Sequence, residues 1–139
     1  MLDEAITAWL REFLRRHGAV AGSVHLVDGD HLAIAAAVNL PPPVIAATTT
    51  IPRGKGMAGI AWERDAPVQT CNLKDDASGA VRPGAKAVDA MAAVALPIHA
   101  AAGSIRAIVG LAWMDDRVLA DDVVAAITAD ASAVPERKP

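Results

Sequence analysis

The sequence predicts an α+β domain in which helices at both ends flank an antiparallel sheet. Apolar residues recur at helical spacing near each terminus. Between them lie four long runs rich in Val, Leu, Ile and Ala, and short turn segments join these runs two by two. Each pair of runs is therefore predicted to form a β-hairpin. Because a hairpin requires antiparallel pairing, a doubly wound parallel sheet is excluded.

Residues 2–17 predict an amphipathic helix that ends at Gly18. Its apolar positions are Leu2, Ile6, Trp9, Leu10, Phe13 and Leu14. They cover an arc of about 180°, wider than the ~100° that a single core face needs. We therefore expect the helix to be buried twice, against the sheet and against another helix, such as that of a second copy. This divides the chain into a helix over 1–18, a domain over 19–134 and a tail over 135–139.

The first hairpin is predicted over residues 20–27 and 31–38, joined by the turn dipeptide Asp28-Gly29. Both runs are apolar on both faces, so the sheet should be covered on both sides. The Pro-rich segment 39–47 is expected to be a loop.

Shorter elements follow in the middle of the chain. We predict a strand over residues 48–51, a short helix over 56–65 and a strand over 67–73. A loop rich in Asp, Gly and Pro should occupy 74–88.

The last part of the chain predicts a hairpin and then a helix. Two apolar strands are expected over 91–99 and 105–113, with Gly103 in the turn between them. An amphipathic pattern then runs from Leu119 to Val134, and Asp121 and Asp122 lie in its first turn, where the helix dipole favours them.

Composition excludes several classes of function. The chain has 139 residues, 53% of them hydrophobic, which suits one folded domain. It has no Tyr and one Phe, so it offers few rings for stacking bases, and its charges are interspersed around a net charge of −3. We therefore expect no nucleic-acid partner. The 32 alanines are spread over strands and helices and indicate closely spaced elements.

Neither a membrane location nor a disulfide is expected. The chain begins Met1-Leu2-Asp3-Glu4 and has no basic region followed by an apolar region, as a signal peptide would. The longest uncharged stretch, 32–52, contains three consecutive prolines, which do not suit a membrane-spanning helix. The single Cys cannot form an internal disulfide and suits a reducing compartment. These observations predict a cytoplasmic protein without a membrane partner.

The segment Gly54-Lys55-Gly56-Met57-Ala58-Gly59 matches the G-x-G-x-x-G pattern of dinucleotide-binding domains. The run before it is short and polar, whereas a central parallel strand should be continuously apolar. No further strand–helix–strand units follow. We therefore interpret the segment as a tight entry to a helix, with Gly59 allowing that helix to approach its neighbour closely.

Other reactive residues give weak signals. Cys71 is interpreted as a structural residue rather than a redox nucleophile, since its predicted strand has no adjacent basic side chain. The four histidines show no spacing typical of metal ligands, and no metal or cofactor is predicted. No catalytic residue is assigned.

From Ala19 to Val134 the chain resembles a GAF domain. Three segments carry the resemblance: the glycine-containing one from Ile51 to Ala61, the strand from Ala66 to Leu73, and Ala93-Val94-Ala95-Leu96-Pro97-Ile98. The resemblance implies a plan like that of PAS domains. Terminal helices cover one face of an antiparallel sheet, while short helices and loops enclose a ligand pocket on the other. It also implies dimerisation through the terminal helices.

The resemblance narrows the function to a sensor or regulatory module in signal transduction that binds an unidentified small molecule as a homodimer. The residues expected at the pocket are Met57, Trp62, Cys71, Asp76, Arg82 and Met91. Arg82 and Asp76 would orient polar groups of the ligand, and the others would form an apolar wall. With so few aromatic side chains, the composition favours a small, non-planar ligand or none.

Two alternatives remain open. Free methionine-(R)-sulfoxide reductases are single-domain relatives, and their Gly-Val-Cys-Gly segment corresponds here to Gly56-Met57-Ala58-Gly59, with Ala58 in place of the Cys. An enzyme of that kind would have to use Cys71 with an external thiol. The other alternative is a dimerisation module that binds no ligand.

Overall fold

The computed structural model describes residues 2–70 and 92–137. Their helices are α1 (Glu4–Arg16), α2 (Pro42–Ala47), α3 (Gly56–Arg64) and α4 (Asp121–Ala131). Their strands are β1 (Ala21–Asp28), β2 (His31–Val38), β3 (Thr50–Pro52), β4 (Val68–Thr70), β5 (Ala92–His99) and β6 (Ile105–Trp113).

The six strands form one antiparallel sheet in the order β3-β2-β1-β6-β5-β4. Both predicted hairpins are present, with positive φ at Gly29 and Gly103 in their turns. The α+β class and its antiparallel sheet are thus confirmed. β3, which precedes the G-x-G-x-x-G segment, is a three-residue strand at the sheet edge, unlike the central parallel strand of a dinucleotide-binding domain.

The register shifts once in each hairpin, and each shift leaves one extra residue on a strand. Val24 pairs with Ala36 and His25 with Ile34, so Ala35 is extra in β2. Ile98 pairs with Ala107 and His99 with Ile105, which makes Arg106 extra in β6. Such β-bulges redirect groups out of the ladder. Here the Ala35 carbonyl accepts a hydrogen bond from the Asp3 N–H at 2.7 Å, next to the start of α1.

The terminal helices α1 and α4 pack on one face of the sheet, called here the helix face. Asp3 caps α1 by accepting the Ile6 N–H at 3.0 Å. The helix buries four side chains against the sheet: Ile6, Leu10, Phe13 and Leu14. Trp9 is partly buried and stacks on Phe13 with ring centroids 4.8 Å apart, while Leu2 is 46% exposed.

Polar contacts hold the ends of these helices. The Asp130 carboxylate of α4 accepts hydrogen bonds from Arg16 and, at 2.6 Å, from His17. Burial opposes ionisation of Asp130, yet these two bonds outweigh it and hold the pKa of its carboxyl below the ordinary value. The extra residue Arg106 donates to the carbonyls of Ser132 and Val134, where α4 ends.

The short helices α2 and α3 cover the opposite face, called here the cavity face. The predicted loop over 39–47 was wrong, because residues 42–47 form α2. Pro42 and Pro43 lie in the first turn of that helix, where the missing N–H groups have no helical partner to lose. The predicted close approach at Gly59 is confirmed, since a Cβ there would lie 2.5 Å from the Pro52 carbonyl oxygen.

Candidate functional site: a cavity on the second face of the sheet

A partly open cavity of about 150 Å³ lies between the sheet and the helices α2 and α3. Its floor is formed by the central strands β1, β6 and β5. The segment from Leu40 to Ile51 and the first turn of α3 complete the wall. The lining residues are Gly22, Ser23, His25, Leu40, Val44, Thr48, Ile51, Gly56, Met57, Ala58, Ala93, Val94, Ala95, Ile108, Gly110, Leu111 and Ala112.

Small side chains on the strands leave this space open. Ala93, Ala95, Gly110 and Ala112 line the floor, and none has a side chain longer than a methyl group. Gly110 carries no side chain at all, although the nearest atom that a Cβ there would meet is the Ser23 Oγ at 3.3 Å. A volume that leucine or valine side chains would fill therefore stays open above the centre of the sheet.

His25 is more deeply buried than the other polar residues of this wall, Ser23 and Thr48. It projects from β1 with 3% of its surface exposed, and its Nε2 lies 2.8 Å from the Thr48 carbonyl oxygen. A carbonyl can only accept, so Nε2 carries the proton and donates it. Burial lowers the pKa of His25 to about 4, against a smaller opposing effect of the Thr48 bond, so the ring is neutral at pH 7.

The second ring nitrogen of His25, Nδ1, takes no part in the bond to Thr48. In the neutral tautomer Nδ1 is an acceptor. It is inaccessible to solvent and has no hydrogen-bond partner within residues 2–70 and 92–137. Thr48, in contrast, satisfies its hydroxyl locally by donating to the Val44 carbonyl at 2.8 Å.

Formal charge is absent from the part of the wall that the structure describes. The lining residues include no Asp, Glu, Lys or Arg, and their polar side chains are those of Ser23, His25 and Thr48. Such a wall is suited to the body of an uncharged molecule, because a buried ion without a partner is strongly disfavoured.

The predicted pocket residues separate into three groups. Met57 lines the cavity. Trp62 is 4% exposed and packs in the adjacent core with Leu32 and Ile51, and the guanidinium carbon of Arg53 lies 4.0 Å from its ring centroid. Trp62 is not part of the cavity wall. Cys71, Asp76, Arg82 and Met91 lie outside the described residues.

Most residues of the cavity wall, including His25, Ser23 and Thr48, were not predicted from the sequence. A histidine inside an apolar run could have drawn attention to β1, but its partner Thr48 is 23 residues away and on another element. The small residues of the floor carry no functional signal of their own in the sequence.

The described ranges offer neither a metal site nor a membrane-spanning helix. They contain no group of three or more His, Cys, Asp or Glu side chains placed to hold a metal ion. None of their helices is long and apolar enough to cross a membrane.

The chain belongs to the GAF domain family, whose profile matches residues 2–132. The family comprises sensor and regulatory domains. The matched range includes α1 as well as the sheet. No curated protein sequence matches the chain at a significant level.

Solved structures agree with the fold at low sequence identity. The GAF domain of a phosphoenolpyruvate-protein phosphotransferase from Coxiella burnetii superposes with a TM-score of 0.73 at 16% identity, covering 94% of this chain and 77% of that one. The type II free methionine-R-sulfoxide reductase of Thermoplasma acidophilum gives 0.70 at 12% identity, covering 91% and 84%. A GAF domain/HD domain protein from Geobacter sulfurreducens gives 0.67 at 14% identity, covering 93% and 84%.

Proposed function

We propose that this GAF domain is a sensor module that binds a small molecule in the cavity between the sheet and α2 and α3. The observation that carries the proposal is the cavity itself, because protein interiors otherwise pack with few voids larger than a water molecule. An apolar cavity with a few placed polar groups is also the usual form of a small-molecule site.

Met57 is proposed as a direct ligand contact, since its flexible thioether side chain lines the cavity and can adapt to an occupant. Trp62 is proposed to act behind the wall, by holding α3 against the sheet. Cys71 and Met91 are proposed as further apolar wall, and Asp76 and Arg82 as groups that orient a polar part of the ligand.

We propose further that the domain performs no chemistry of its own. Ala58 lines the cavity at the position where the resemblance to the free methionine-(R)-sulfoxide reductases places a cysteine, so a methyl group replaces a thiol there. A thiol-coupled assay with free methionine sulfoxide tests this point. Turnover by the wild-type protein that Cys71→Ser abolishes would establish the reductase instead.

The module is proposed to act as a homodimer through the terminal helices. Leu2 next to α1 and Val123 in α4 are 46% and 43% exposed, and both belong to the apolar patterns of the terminal segments. Binding in the cavity would then alter the pairing of two copies. A dimer whose strength responds to no added metabolite would support the alternative of a ligand-free dimerisation module.

Native mass spectrometry of freshly purified protein tests the proposal, because it reports the oligomeric state and any co-purified molecule together. Ala58→Leu should fill the cavity and remove both the co-purified mass and the binding of added small molecules. Ala101→Leu makes the same change at an exposed position in the turn between β5 and β6 and should leave binding intact. If neither a co-purified molecule nor an added one binds to the wild-type protein, the proposal is wrong.

A further inference from the structure

We propose that His25 Nδ1 is the polar anchor of the cavity and that the ligand is a small uncharged molecule presenting one O–H or N–H donor to it. This inference rests on the proposed function, since it names the ligand class of that same cavity. Three features of the site carry it: the tautomer of His25, the lack of a partner for Nδ1 among the described residues, and the absence of charge from the described part of the wall.

The tautomer determines which group the ligand must bring. His25 donates through Nε2 to the Thr48 carbonyl oxygen at 2.8 Å, and a carbonyl cannot donate in return. The single proton of the neutral imidazole is therefore used there. Nδ1 presents a lone pair that only a donor can satisfy, and because this atom is closed to solvent, the surrounding wall must shift slightly to admit that donor.

The missing partner provides the driving force. Buried polar groups in folded proteins almost always have a hydrogen-bond partner, and an unsatisfied one destabilises the protein. His25 Nδ1 is buried without one in the part of the chain that the structure describes, on a residue that lines a largely apolar cavity. A donor brought by the ligand would remove this deficit, which a purely apolar ligand could not do.

The wall and its volume limit the rest of the ligand. The described lining has no side chain of opposite charge for either an anion or a cation, and burial keeps His25 itself neutral. A cavity of about 150 Å³ is known to hold a molecule the size of benzene, so the ligand body should have about six to eight non-hydrogen atoms. A nucleotide or a tetrapyrrole could not be enclosed within this volume.

Three probes of matched size separate these features. Cyclohexanol carries a donor, cyclohexanone carries only an acceptor, and cyclohexylammonium carries a charge. Their affinities for the full chain can be measured by NMR titration. The ¹⁵N resonance of His25 Nδ1 reports directly on a hydrogen bond to that atom.

Two variants of His25 isolate the acceptor. His25→Phe keeps a ring of similar size and removes Nδ1, whereas His25→Asn places an amide oxygen near the position of Nδ1. His31→Phe is the matched control, because His31 lies in the turn region of the first hairpin and outside the cavity wall. Thermal unfolding of each variant establishes that it is folded before binding is measured.

We expect cyclohexanol to bind at least about fivefold more tightly than cyclohexanone, the ratio that corresponds to about 1 kcal/mol for one net hydrogen bond. Its binding should shift the Nδ1 resonance in the wild-type protein. The preference should disappear in His25→Phe and persist in His25→Asn and His31→Phe. Cyclohexylammonium should not bind.

Three results would overturn the inference. If cyclohexanol and cyclohexanone both bind to the wild-type protein and neither shifts Nδ1, the cavity binds ligands without this anchor, and the proposed function survives. Equal binding of cyclohexylammonium would contradict the uncharged ligand class. If no probe binds to the wild-type protein, the inference fails, whereas the proposed function is decided by the native mass spectrometry of co-purified and added molecules. The wild-type titration decides these cases even if His25→Phe does not fold.

Discussion

The two faces of the sheet are built from the same strands and packed in opposite ways. On the helix face, strand residues such as Val24, Leu96 and Leu111 meet the side chains of α1 and α4 in a continuous core. On the cavity face the neighbouring strand positions are small, as at Ala95 and Gly110, and about 150 Å³ remains open. The helix face is thus closed by continuous packing, whereas the cavity face keeps open space beside a second core that includes Leu32, Ile51 and Trp62.

The largest expected difference between the faces comes from deleting a large side chain on each. Phe13 is fully buried and stacks on Trp9, so Phe13→Ala should lower the free energy of unfolding by about 3–5 kcal/mol. Met57 is only partly buried and borders open space, so Met57→Ala should cost clearly less. Urea unfolding of both variants measures the two losses. Equal losses would mean that the cavity face contributes as much stability as the helix face.

The second largest expected effect is a loss of stability at low pH, and it arises from His25 on the cavity face. The pKa of His25 falls from 6.5 to about 4 on folding, so the unfolded state binds the proton first as the pH drops. The stabilisation that comes from keeping the buried His25 ring neutral is therefore complete above pH 6.5 and is lost as the pH falls from 6.5 to 4. The loss should amount to roughly 3 kcal/mol.

Unfolding free energies of the wild-type protein and His25→Phe, measured from pH 7 to 4, check this expectation. The wild-type protein should lose stability more steeply, because the carboxylates common to both proteins titrate alike. Parallel curves would show that His25 keeps an ordinary pKa in the folded state.

The smallest expected effect comes from adding volume. Ala107 is fully buried on the helix face, so Ala107→Leu should overpack it and destabilise the domain by about 1–3 kcal/mol. Ala58→Leu places the same side chain into the cavity and should change stability by less than that, or increase it. Thermal unfolding of the pair measures the contrast. A larger loss for Ala58→Leu would contradict an open cavity.

The regular elements were largely predictable from the sequence. Helical periodicity predicted α1 and α4, and turn glycines marked both hairpins, because these signals come from residues close together in the chain. The segment 39–47 was misinterpreted because three prolines usually break a helix. They begin one here, since proline is tolerated in the first turn.

The candidate site was much less predictable. Met57 could be chosen because the family resemblance places the start of α3 beside the pocket. His25 could not be chosen, because its proposed role depends on the Thr48 carbonyl, 23 residues away, and on the lack of a described hydrogen-bond partner for Nδ1. The residues next to His25 in the sequence indicate neither. The alanines suggested tightly packed elements, yet Ala93 and Ala95 help to keep a cavity open.

The bulge at Ala35 determines how β2 responds to the loss of a residue. Ala35 and Ala36 are consecutive, and both pack into the core of the helix face, whereas Leu32 packs on the cavity face. Side chains otherwise alternate along a strand, so without Ala35 the residues Ile34 and Ala36 would be neighbours on opposite faces, and their pairing with His25 and Val24 would be regular. Deleting Ala35 should therefore preserve the faces of β2 and instead remove the carbonyl that accepts the Asp3 N–H. The extra residue serves the attachment of α1 rather than the alternation of the strand.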